Sequence, residues 1–238
     1  MKKFYFIIAV LTTSITFSQQ MQAGRMSAQT ERQFLDIINK SRNTVTLKDS
    51  EIVGTKYFNE NFAPGKIAQN NVEFSKEFQM RYNAYADEIE VNNGVDIDVL
   101  AKDSSISCTI GEQQYNYLPY KEANSEFSKM GYLTILFEGK NLQLYKREVK
   151  IFKEGRKART SLTTSIPPKL VDFEHFVISQ NNETPSIIKL KEKVLLNLFP
   201  EELRPKLKQY LKENKLKLKN KSDLISFIAH CDNLISKS

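Results

Sequence analysis

The chain has 238 residues, with 35 lysines and arginines against 28 aspartates and glutamates, a formal net charge of +7. Apolar residues make up 40% and charged residues 26%, an ordinary globular balance in a chain long enough to bury a core without a metal or disulfide staple. Two histidines, two cysteines and no tryptophan exclude a zinc-finger array, a disulfide scaffold and a His-rich metal site, and the eight glycines form no phosphate-cradling loop.

Met1-Lys2-Lys3 is basic, Phe4 to Leu11 is an unbroken apolar run, and Thr16-Phe17-Ser18 places small residues at −3 and −1 of a cleavage site. This pattern predicts a secretory signal peptide over residues 1–18, too short and too polar at its end for a membrane span. Removing it, with Lys2 and Lys3, leaves 220 residues and a charge of +5. No cysteine follows the apolar run to take a lipid, and no later segment could cross a bilayer as a helix. Residues 19–43 read as a flexible start and a short helix over Glu31–Lys40, opened by the capping-box spacing Thr30-x-x-Gln33.

Residues 44–183 read as an antiparallel β domain. Phe78, Met80, Tyr82 and Ala84 alternate with polar residues, and Ile89 and Val91 continue on the opposite parity, which predicts a bulge near Ala86–Glu88. Asn93-Gly94 between alternating runs is a hairpin signal. Ile106, Cys108 and Ile110 alternate again, and Gly111-Glu112 turns the chain into Gln114–Tyr120. Tyr132–Phe137 and Leu142–Phe152 flank the turn Glu138–Asn141, and Phe173–Ile178 is a last strand. Consecutive hairpins imply a meander, as an open sheet or a partly rolled barrel.

Residues 184–238 read as a basic tail of three amphipathic helices. Thr184-Pro185 opens the first, with Ile187, Leu190, Val194 and Leu198 on one face; Pro200-Glu201-Glu202 opens the second; Ser222 caps the third. The fold class is therefore α+β, a β-meander carrying a C-terminal three-helix segment. Charge is segregated along it. Asn43 to Gly139 carries 8 basic and 15 acidic residues, Lys140 to Arg159 carries 8 and 2, and Ser186 to Ser238 carries 12 and 6.

Most catalytic chemistries lack their residues. His175 and His230 stand at no ligand spacing to a second histidine or to cysteine, no G-x-S-x-G elbow occurs, and no metal, cofactor or catalytic residue is assigned. Export permits a Cys108–Cys231 disulfide if the last helix covers the right sheet face; otherwise both thiols are free and buried. The tyrosine-rich strands offer Tyr82, Tyr117 and Phe137 as a lining for an apolar ligand, against the alternative of ordinary cross-strand packing. Lys212, Lys215, Lys217 and Lys219 mark the tail as a surface for an anionic partner.

Two stretches carry a resemblance. Gly54-Thr-Lys-Tyr57-Phe-Asn59-Glu-Asn-Phe62-Ala-Pro-Gly65 followed by Met80-Arg81-Tyr82-Asn83-Ala-Tyr85-Ala-Asp87-Glu88-Ile-Glu90, and the tail around Tyr210–Leu224, resemble an uncharacterised family of exported proteins of Bacteroidota-type bacteria. The resemblance implies export and a β-rich body with a helical tail. It implies no activity and transfers no functional residue, and the chain departs from it in the basic Arg156–Lys169 loop and the N-terminal helix. The expectation is an exported, non-catalytic cell-envelope protein, periplasmic or at the outer surface, that binds another envelope protein or an anionic polymer. A carrier or sensor of a small apolar ligand is the first alternative and an enzyme of unrecognised class the second. Nucleic acid is not an expected partner.

Overall fold

A computed structural model describes residues 37–40, 52–123, 125–158, 160, 162 and 164–236. The expected signal peptide, the N-terminal start and most of the Glu31–Lys40 helix lie outside these residues. The protein is a mixed α+β protein, with a mostly antiparallel sheet of twelve strands and three C-terminal helices among the described residues.

The first half of the sheet is built from β1 (Ile38–Lys40), β2 (Ala63–Gln69), β3 (Val72–Glu73), β4 (Phe78–Asn83), β5 (Glu88–Asn92), β6 (Ile97–Leu100) and β7 (Ile106–Ile110). The second half comprises β8 (Gln113–Lys121), β9 (Ser128–Glu138), β10 (Leu142–Lys153), β11 (Lys169–Gln180) and β12 (Ser186–Ile188). The spatial order runs β1-β6-β5-β4-β2-β7-β8, with β3 paired to β2 alone. At β8 the sheet divides. One β8 edge pairs with β9 from Tyr115 to Lys121, and the other takes β7 over Gln113–Asn116 and then β12 through the single parallel pair Ser186↔Lys121. Because β9 pairs with β10, β10 with β11 and β11 with β12, five strands form a circuit of pairings. The sheet is rolled at this end and open at the other.

Three clusters of buried side chains follow from that path. Ile67, Met80, Ile89, Val91, Leu100 and Cys108 pack inside the curve of the first half. Tyr120, Leu133 and Val177, with Leu118, Tyr145 and Ile187 against them, come one or two from each strand of the circuit and fill it. The third cluster lies under the helices α1 (Glu192–Leu196), α2 (Arg204–Glu213) and α3 (Lys221–Ile235), whose Leu195, Leu207, Leu224, Phe227 and Ile228 meet Leu142, Leu144, Phe176 and Ile178 of the sheet. Burying a leucine or phenylalanine here stabilises by roughly 1.5–3 kcal/mol, which short amphipathic helices need because they are marginal alone in water.

Several local expectations are corrected. Ile38–Lys40 is strand, not helix, because it pairs with β6. The predicted bulge near Ala86–Glu88 is a four-residue turn between paired Asn83 and Glu88, with Asp87 at φ 56°. The Asn93-Gly94 hairpin forms with a wider loop: Asn92 pairs with Ile97, Gly94 has φ 92°, and Asn93 Oδ1 accepts from the Val95 and Asp96 amides. The first tail helix does not start at Thr184. Ser186–Ile188 is β12, held by Ile188↔Phe176 on the edge of β11, and α1 is five residues long. Helical spacing loses here to an open strand edge, which leaves backbone groups to satisfy. The cap of α3 is Asn220, whose side chain accepts from the Ser222 and Asp223 amides, rather than Ser222.

Candidate functional site

The tyrosines gather where the two halves of the sheet meet. Tyr82 from β4, Tyr115 and Tyr117 from β8 and Tyr132 from β9 pack ring to ring, with centroids 5.3 Å apart for Tyr82–Tyr115, 6.0 Å for Tyr82–Tyr132 and 5.1 Å for Tyr117–Tyr132. Tyr82 is buried and Tyr117 half-buried, while Phe137 packs against the separate cluster under the helices. The structure therefore does not bring Tyr82, Tyr117 and Phe137 together. Burial pushes the Tyr82, Tyr115 and Tyr132 phenols well above their ordinary range, so all three keep their protons. The Tyr132 hydroxyl is buried without a hydrogen-bond partner among the described residues. Removing an orphaned buried donor relieves its desolvation cost. Tyr132→Phe should therefore leave stability unchanged or raise it by about 1 kcal/mol, read from urea midpoints; a loss of similar size would mean the hydroxyl is in fact satisfied.

Beside this cluster lies an ion pair between a buried arginine and a half-buried aspartate. Arg147, from β10, places Nη2 3.2 Å from Asp87 Oδ2 and its guanidinium 4.8 Å from the Tyr120 ring. Asp87 also accepts from the Tyr82 hydroxyl at 2.7 Å and from the Tyr132 amide at 3.2 Å. The guanidinium fits because residue 131 is glycine: a Cβ there would stand 2.3 Å from Arg147 Nη1. Desolvation disfavours the Arg147 charge, but Asp87 outweighs it and holds the cation.

A second charged cluster joins the segment before β2 to β4 and β5. Arg81 Nε donates to Glu90 Oε2 at 2.7 Å, Arg81 Nη2 to the Tyr57 hydroxyl at 2.7 Å, and Asn83 Nδ2 to Glu90 Oε1 at 2.9 Å. The Arg81 guanidinium lies 4.0 Å from the Tyr57 ring and 4.3 Å from that of Phe62. Tyr57, Phe62, Arg81, Asn83 and Glu90 thus clamp the segment before β2 onto β4 and β5. The Glu90 carboxylate and the Arg81 cation satisfy one another, which orders the backbone around them.

The alternating face of β10 contains the signal that sequence reading missed. Leu142 and Leu144 continue in the same parity to Lys146, Glu148 and Lys150, all buried. Lys146 pairs with Glu148, and Lys150 reaches Asp172 Oδ1 at 2.6 Å and the Phe58 ring at 4.6 Å. Charges at positions whose spacing demands burial must be paired, and that rule could have pointed to the network. Cys108 and Cys231 are both free and buried in separate clusters, so the Cys108–Cys231 bridge is not formed. Burial pushes both thiols far up, which makes them poor nucleophiles. Among the described residues no three His, Cys, Asp or Glu side chains are grouped to hold a metal.

The tail is arranged differently. Lys212, Lys215, Lys217 and Lys219 are all exposed, on the end of α2 and the loop after it. They belong to a run of ten exposed lysines from Lys189 to Lys221, none of which forms an ion pair among the described residues. Arg204, 3.5 Å from Glu201, is the tail's paired cation there. In the sheet and its turns, by contrast, Lys66, Arg81, Lys102, Lys129, Lys146, Arg147 and Lys150 have carboxylate partners, while Lys121, Lys153 and Lys169 form no ion pair among the described residues. A cleft of about 620 Å³ opens between α1 and α2, walled by Leu196 and Pro205 and rimmed by Lys193, Arg204, Lys208, Glu192 and Glu201.

No family model, no curated protein and no solved structure matches the chain. The class that its own architecture defines is an α+β protein on a mostly antiparallel sheet. No helix among the described residues is long and apolar enough to cross a membrane.

Proposed function

We propose that the chain is an exported, non-catalytic protein of the cell envelope that binds an anionic envelope polymer through its C-terminal helices. The observation that carries this reading is the contrast in charge pairing. The buried charges of the sheet are paired with carboxylates, whereas ten exposed tail lysines form no ion pair among the described residues. Lysines in this density raise the local concentration of polyanions and speed their capture. Family resemblance and the predicted signal peptide support export, to the periplasm or the outer surface.

Polygalacturonate, an anionic polysaccharide, serves as the probe on an affinity matrix. The protein should be retained at about 0.15 M ionic strength and released as added salt screens the lysines. Replacing Lys212, Lys217 and Lys219 with glutamine and Lys215, which has φ 51°, with asparagine should lower the salt needed for release. Asparagine tolerates that backbone conformation, so the variant should stay folded. Passage of the unmodified protein straight through the matrix, or identical release of both proteins, would sink the reading.

A further inference from the structure

The β10–β11 hairpin continues beyond its neighbours. The last β9 partner of β10 is at Lys146, and the β12 partners of β11 span Phe176–Ile178, but β10 and β11 stay paired out to Lys153↔Lys169. Three backbone contacts brace the arm as far as its last strand pair: the Lys150 amide donates to the Ala84 carbonyl at 3.0 Å, the Leu170 amide to that of Val53 at 2.9 Å, and the Val53 amide to that of Pro168 at 2.9 Å, so the part without such support is the loop past Lys153 and Lys169. Past the strands the loop is still built as a hairpin. Arg156 and Ile166 exchange backbone hydrogen bonds of 2.7 and 2.8 Å, and the Ala158 amide donates to Ser165 Oγ at 3.0 Å.

The arm and its loop combine exposed aliphatic side chains with cations. Leu162 is 96% exposed, and Ile166 and Ile151 are 46% and 42% exposed. Lys153, Arg156, Lys157 and Lys169 around them are exposed and make no ion pair among the described residues. Residues 153–169 hold five cations and one acid. We infer that this arm docks on an anionic lipid surface, with Leu162 entering the interface and the cations on the headgroups. A bilayer interface takes an exposed aliphatic side chain without a matching groove. A hydrophilic polymer would satisfy the cations and leave the aliphatic tip in water. Exposed aliphatic side chains flanked by lysine and arginine are the combination that partitions to anionic bilayers. The inference does not depend on the tail lysines.

Sedimentation of the purified protein with vesicles of phosphatidylcholine and phosphatidylglycerol tests it, with pure phosphatidylcholine as the comparison. The protein should sediment with the anionic vesicles and much less with the neutral ones. Leu162→Asp should lower partitioning roughly tenfold or more, and Arg156→Ser and Lys157→Ser about fivefold each. Because Leu162 is solvent-exposed, its variant should melt like the parent, so loss of binding is not loss of fold. The four-lysine tail variant should sediment as the parent does. The proposal is overturned if the protein stays in solution with anionic vesicles. It is equally overturned if Leu162→Asp sediments unchanged while the tail variant is lost, which would assign lipid binding to the tail.

Discussion

Asp232→Ala should destabilise the protein by on the order of 3 kcal/mol and release α3 from the sheet. The Asp232 carboxylate takes three backbone donors from the β9–β10 turn: Lys140 at 3.0 Å, Asn141 at 2.7 Å and Leu142 at 2.9 Å. The turn closes this tightly because residue 139 is glycine; a Cβ there would lie 2.6 Å from the carboxylate. Truncation leaves the Leu142 amide without a partner in a buried place and the Asn141 amide in a half-buried one, and a buried orphan costs about 1–3 kcal/mol. Cys231, one residue away and fully buried, gives a local readout. Its labelling by a thiol reagent should accelerate about a hundredfold, since 1.4 kcal/mol is tenfold in an opening equilibrium, while Cys108 in the other cluster should stay protected. Equal acceleration at both thiols would mean global unfolding and no specific anchoring of α3.

The same carboxylate gives a pH dependence. Burial alone would raise it, but the three amides and the Asn141 side chain prevail and hold it below the usual carboxylate range. A lowered folded-state value means the unfolded chain takes the proton more readily. The stabilisation from Asp232 is therefore complete above the unfolded value near 4 and fades as the pH falls through the lower folded value. The melting temperatures of parent and Asp232→Ala should converge below about pH 4; a constant gap down to the acid limit would contradict it.

Asp87→Asn should cost about 3 kcal/mol, near the lower end for breaking a buried pair, because it leaves the Arg147 cation without its counter-charge. Asparagine is the right probe, since residue 87 has φ 56° and alanine would add backbone strain. Arg147→Met in the Asp87→Asn background should recover much of the loss, as buried pairs replaced by apolar groups are often neutral. Urea midpoints of the four proteins give the coupling. Additive losses would show that the two charges do not act as a pair.

Local chemistry made part of this fold legible. The β9–β10 hairpin, the Gly111 turn with φ 59° and the helices α2 and α3 stand in the sequence as period and turn residues, and the structure has each of them, with β9 beginning at Ser128 rather than Tyr132 and α2 at Arg204 rather than beside Pro200. What stayed hidden depends on register between distant segments. β12 is three residues, and its strand character comes from the β11 edge it meets, against its own helical spacing. The Arg147–Asp87 pair joins a strand to a turn many residues upstream, and nothing local to either residue names the other. The basic tail was visible as composition, while its lack of internal partners could emerge only once the carboxylates of the sheet had been placed. The three aromatics chosen for a ligand lining were read by type and strand, and Phe137 separated from the tyrosines because it belongs to the helix-covered face.

The single Ser186↔Lys121 bridge has a bearing on how the chain assembles. A circuit of strands is complete only when its last member arrives, and here that member is encoded at the threshold of the helices. A nascent chain released before Ser186 would hold β8 and β11 with bare edges, the template on which strands of separate molecules recruit one another. Closing the circuit also joins segments far apart along the backbone, the kind of late, entropically costly event that slows β-rich proteins relative to helical ones. Ser186–Ile188 therefore acts as a clasp, and truncation before it should yield aggregates rather than a shortened soluble protein.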